Sequence, residues 1–185
     1  MNTRREARER ALQLLYQLEI QRDDPEGQII RYLDHVTFAP KGEPDRWEAD
    51  EYPTELGRKV SQRDKDFIAE IVNYVTAHKI ELDELYKVHL KGWKLERIPI
   101  VDQCIMRLAV YEITERPDIP FSVSVNEAVL LAKKYADDKS RSYINAILGK
   151  MKSVACEKTA DKKKSVDQST ENRQVEPAEE EKIGE

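Results

Sequence analysis

The strongest constraint on this chain is a helical repeat of apolar residues that restarts in segment after segment and never gives way to a convincing strand alternation. Ala7, Ala11, Leu14, Leu15 and Leu18 stand at i, i+4, i+7, i+8 and i+11, one stripe along a helix spanning residues 3–22. Asp23, Asp24 and Pro25 stop that helix. Pro25 also suits the first turn of a short second helix carrying Ile29, Ile30 and Leu33. The repeat returns at Ile68, Ile71, Val72 and Val75, behind the capping candidates Ser61 and Asp64. Leu82, Leu85 and Tyr86 continue that helix or begin another, which Gly92 ends. Pro99 reads as a first-turn proline ahead of Val101, Ile105, Leu108, Ala109 and Glu112. Two prolines in Arg116-Pro117-Asp118-Ile119-Pro120 force a turn. Ser124 to Glu127 has the form of a capping box, followed by Val125, Val129 and Ala132. Ile144, Ile147, Leu148 and Met151 mark a final helix. The expected class is all-α.

Two stretches fall outside this repeat. Residues 37–60 hold Pro40, Gly42, Pro44, Pro53 and Gly57 among charges, the signature of a long loop or insertion in which Trp47 and Tyr52 serve as anchors. Residues 157–185 carry nine acids and six bases, with Val166, Val175 and Ile183 as the only large aliphatics. Such a segment buries too little apolar surface to offset its ordering entropy, so the expected organisation is a helical domain over 1–155 and a disordered charged tail over 156–185.

The composition narrows function mostly by exclusion. The net charge is −5, of which the tail holds −3, leaving −2 on residues 1–156. Nucleic acid would therefore have to be met by a local basic patch, since no global field attracts it. Cys104 and Cys156 make no disulfide framework, and no apolar run reaches the ~18 residues that span a bilayer. A cytoplasmic protein is expected. His35, His78 and His89 lack metal-ligand spacing, and the glycines form neither a dinucleotide fingerprint nor a phosphate loop. No enzyme, cofactor or metal is expected.

What remains is basic and aromatic. Arg5, Arg8, Leu12 and Tyr16 lie within roughly 80° of one another along some 16 Å of the first helix, with Arg4 adjoining Arg8. Forked guanidinium donors followed by a ring suit a phosphate track and an unpaired base. The same residues also fit an ordinary charged face on which Glu6 and Glu9 pair locally and Tyr16 edges the core. A second cluster joins Lys133, Lys134, Lys139, Arg141, Lys150 and Lys152 with Tyr135 and Tyr143. Sharing one face, the two clusters would form a groove for a single strand.

The order of these segments resembles the NusB family of bacterial transcription antitermination factors. The resemblance is carried by Ala7–Tyr16, Asp66–Val72, Leu95–Arg97 and Val101–Glu112. Its most specific part is Asp118-Ile119-Pro120, then Val125–Val129 and Leu131–Tyr135, closing with Tyr143-Ile144-Asn145. It implies two packed three-helix bundles that bind boxA-type single-stranded RNA with the ribosomal protein NusE, recruited to the RNA polymerase antitermination complex. Carried over by position, Arg4, Arg5, Arg8, Tyr16, Lys139 and Tyr143 would contact RNA, and Asp102 and Arg107 would contact the partner. Asn126, Glu127 and Asn145 match the family signature as structural residues. Some members form homodimers. This chain departs from the family pattern at Glu6, which interrupts the arginine run, and at Ala146 and Gly149. The alternative to RNA binding is a protein–protein scaffold of the same fold.

Overall fold

A computed structural model describes residues 3–38, 58–90 and 94–154. Seven α-helices account for about three-quarters of them. They are α1 (Thr3–Ile20), α2 (Pro25–His35), α3 (Gln62–Ala77), α4 (Lys79–Lys87), α5 (Ile100–Glu115), α6 (Phe121–Tyr135) and α7 (Asp138–Gly149), with a single 3-10 turn at Leu95–Arg97. The anchors expected in the 37–60 insertion, Trp47 and Tyr52, lie outside the described residues, as do residues 155–185.

Local chemistry sets most of the helix starts. Asp24 sits in the left-handed region (φ 49) and its carboxylate accepts from the Gly27 amide at 3.0 Å, capping α2 just before Pro25. The Ser61 hydroxyl accepts from the Asp64 amide at 3.2 Å and donates to the Asp64 carboxylate at 2.7 Å, closing the front of α3. Asp137 caps α7 through the Ser140 amide at 2.6 Å. The expected capping box at Ser124 is not one. The second proline of the turn, Pro120, already occupies the N-cap of α6, so Ser124 falls inside the helix and is buried. Likewise Pro99 caps α5 from just outside its first turn. α4 is a separate helix, divided from α3 at His78, and it ends at Lys87, short of Gly92.

Two residues of strand on each side, β1 (Thr37–Phe38) and β2 (Arg58–Lys59), pair antiparallel with Thr37 opposite Lys59 and Phe38 opposite Arg58. A ladder this short has no room for an alternating pattern. It ties together the two ends of the 39–57 segment, with Phe38 and Val60 anchored in the core.

The helices form two three-helix groups, α1–α2–α3 and α5–α6–α7, and α4 packs against α3 and α5. The axis of the whole is α5. Every residue from Cys104 to Thr114 is buried, because α1, α3, α4, α6 and α7 all lean on this one helix. A helix hydrophobic on all sides is what such encirclement demands, yet α5 carries three ionisable groups at five-residue intervals. Asp102, Arg107 and Glu112 are all buried, and each meets its own set of side chains. The Asp102 carboxylate accepts from the Ser140 and Tyr143 hydroxyls of α7, both at 2.6 Å. The Arg107 guanidinium donates twice to Asp83 of α4 at 2.7 Å and once to Glu19 of α1 at 2.8 Å. Glu112 accepts from Nε of Arg8 on α1 at 2.6 Å.

Candidate nucleic-acid interface

The three arginines at the start of α1 meet three different environments. Arg4 lays its guanidinium over the Phe67 ring at 4.3 Å and stands 3.8 Å from Asp64, with its side chain about one-third exposed (31%). Arg5 points the other way. Its Nε and terminal nitrogen donate to the Glu127 carboxylate of α6 at 2.8–3.2 Å, while half of its side chain (52%) stays open to solvent. Arg8 is 4% exposed and closed against Glu112. It is therefore not available to a phosphate, contrary to expectation. The reason is rotational: Arg8 shares its face with Leu12, four residues on, and Leu12 is a core residue. Burial raises the Glu112 carboxyl above its ordinary range against the opposing pull of Arg8.

A seam between α1 and α6 follows from these contacts. Arg5 bonds Glu127, and eight residues on Gln13 donates to the Tyr135 hydroxyl at 2.9 Å, the same offset in sequence. The two helices thus run in the same direction, both resting on α5 and bridged by long side chains. Between those bridges Glu9 accepts from the Tyr135 hydroxyl at 2.6 Å and pairs with Lys134 at 2.9 Å. Glu6 pairs with Arg58 of β2. Both acids that interrupt the arginine run are thereby matched by cations, so they subtract less from the local potential than the sequence suggests. One turn beyond Gln13, Tyr16 presents its ring to solvent (43% exposed). That end of the seam leads to the α6–α7 turn, which carries the exposed Lys139.

Tyr143 is half-buried, with its hydroxyl given to Asp102. Burial, reinforced by that bond, pushes its phenol well above the ordinary value, so the group stays a neutral donor. Its ring, partly exposed, is what can face a ligand. The two residues expected to contact a partner, Asp102 and Arg107, are both interior. Each is enclosed by hydroxyl or carboxylate groups from neighbouring helices, and so their role is corrected to holding α7 and α4 onto α5. Two residues that shape the interface were not among the expected RNA contacts, although Glu127 was expected to be structural. Glu127 orients Arg5. Phe67 lies beneath three guanidinium groups, those of Arg4, Arg8 and Arg116 at 4.3, 5.8 and 5.4 Å.

Among the described residues no group of histidine, cysteine or acidic side chains is arranged to hold a metal ion, and no helix is long and apolar enough to cross a membrane.

Comparison with known proteins gives this arrangement its context. The NusB family model matches residues 5–153. The chain belongs to the NusB family. A transcription antitermination protein NusB from Acetivibrio thermocellus is 40% identical over 151 residues, covering 82% of this chain and 89% of that protein. The Bacillus subtilis NusB is 35% identical over 150 residues, 81% and 95% of the two chains. Among solved structures, NusB of T. maritima superposes with a TM-score of 0.62 at 25% identity, covering 80% of this chain and 89% of that one. A structure of antitermination factors NusB and NusE in complex with dsRNA shares the fold at a TM-score of 0.58 and 20% identity, over 83% and 98% of the chains. The NusB fold agrees with the all-α reading, and the family is non-enzymatic.

Proposed function

We propose that this chain is a cytoplasmic transcription antitermination adaptor that binds boxA-type single-stranded RNA together with a NusE-type ribosomal protein, and so joins the RNA polymerase antitermination complex. The observation that carries the reading is the α1–α6 seam, with a half-exposed arginine at one end and an open tyrosine ring at the other. Arg5 and Arg4 supply cations to the backbone, Tyr16 supplies a stacking surface, and Lys139 with the ring of Tyr143 extends the track onto α7. Arg8 supports this face from behind through Glu112. Relatives at 35–40% identity carry the name transcription antitermination protein, and NusB has been solved with NusE and RNA.

The test is fluorescence anisotropy of a short boxA-like RNA, with and without the cognate NusE protein, at two salt concentrations. Affinity should rise with the partner and fall with salt, with a slope near −0.7 per phosphate neutralised. A folded protein that shows no RNA binding under any of these conditions would leave a scaffold of the same fold for protein contacts alone.

A further inference from the structure

We propose that the acidic segment 175–185 of this chain docks in the open groove between α6 and α7. The groove has a volume of about 790 Å³ and lies on the far side of α7 from Tyr143, whose hydroxyl turns inward to α5. Phe121, Val125 and Val129 of α6 give it an apolar wall. Asn126 of α6 and Asn145 of α7 also line it, and neither makes a side-chain hydrogen bond among the described residues. Two cations, Arg141 and Lys152, complete the lining. No acidic side chain among the described residues lines this groove. Arg141 does reach Asp138 at 3.2 Å, but Asp138 is 90% exposed and engages one of five guanidinium donors. The groove therefore offers positive charge, amide donors and a small apolar surface, answered among the described residues only by the exposed Asp138 at its edge.

The chain carries a complementary segment. Residues 175–185 hold five glutamates and one lysine, with Val175, Pro177, Ala178 and Ile183 between them. The stretch before it, residues 155–174, carries five bases and four acids, so it lacks the net negative charge of 175–185 and serves as a tether. Lys152 stands two residues before Val154, the last described residue, so the described chain ends close to the groove. The 20 residues between Val154 and Val175 reach roughly 65 Å when extended, far more than a return to α6 requires. A tethered segment acts at an effective concentration on the order of millimolar, so individually weak contacts are enough to hold it. The inference stands whether or not the chain binds RNA.

Zero-length carbodiimide coupling of the full chain, followed by peptide mapping of the monomer band, tests it. Lys152 should join Glu176 or Glu179–Glu181 with a yield at least about fivefold above that of the equally close Lys150, which does not line the groove. In parallel, the side-chain amide signals of Asn126 and Asn145 should shift between the full chain and a variant carrying Glu179→Lys, Glu180→Lys and Glu181→Lys. The shift should vanish in high salt. Equal coupling to both lysines with unmoved amide signals would overturn the proposal. Coupling confined to a dimer band would overturn it too, in favour of a second copy's tail.

Discussion

Replacing Arg8 by alanine separates the two roles that an arginine on α1 could have. The side chain is 4% exposed and its Nε lies 2.6 Å from a Glu112 carboxylate that is fully buried. Truncation would leave that carboxylate without its cation in the interior, a loss of roughly 3–5 kcal/mol. At roughly 2–4 °C per kcal/mol for a domain of this size, the midpoint of thermal unfolding should fall by about 6–20 °C. The cost should depend on pH in a defined direction. Burial already lifts the Glu112 carboxyl, and removing Arg8 lifts it further. A raised carboxyl contributes stability that is fully present below its unfolded value and is lost as pH rises through the folded one. The variant should therefore lie closer to the parent at pH 5 than at pH 8. Circular dichroism melts at the two pH values measure this. The double variant Arg8→Met with Glu112→Leu should recover most of the loss, since neither charge is then stranded. An Arg8→Ala protein that melts with the parent yet binds RNA more weakly would refute the buried placement and return Arg8 to the phosphate track.

Arg5→Gln keeps a donor for Glu127 while deleting the cation, so RNA affinity and its salt slope should both drop, the latter by about 0.7, with little change in melting. Tyr16→Ala should weaken RNA binding by roughly 1–3 kcal/mol, about 5–150-fold, with circular dichroism unchanged; an unaltered affinity would place the RNA away from this end of the seam. Burial raises the Cys104 thiol to about 12, so at pH 8 it should resist alkylation in the folded protein and react once urea is added, as peptide mass spectrometry would show.

Features encoded within one turn of chain were legible in the sequence. The apolar stripes of α1, α3 and α5, the cap at Ser61, and the first-turn place of Pro25 all depend on neighbours three or four residues away. The start of α6 was misplaced because two local signals competed, and the backbone constraint at Pro120 outweighed the side-chain pattern at Ser124. The interface was harder to see. Arg8 and Arg5 are three residues apart with similar neighbours, but their partners lie 104 and 122 residues away. A clue was present all the same: Glu112 lies on the apolar stripe of α5, and a carboxylate on such a stripe requires a buried donor from elsewhere. Asp102 and Arg107 interrupt the same helix and admit the same argument.

Those three charges also bear on how the helices find their places. Steps of five residues rotate around an α-helix by about 140°, so Asp102, Arg107 and Glu112 look out in three directions from the central rod. Each is answered by different chemistry: hydroxyls on α7, carboxylates on α4 and α1, and a guanidinium on α1. Leucines at all three positions would keep the driving force for collapse while erasing the labels that distinguish one docking side from another. Drift is constrained in the same way. A change of sign at Asp102 must be matched on α7, one at Arg107 on α4 and α1 together, and one at Glu112 at Arg8, so each position constrains its own set of partners within a single core.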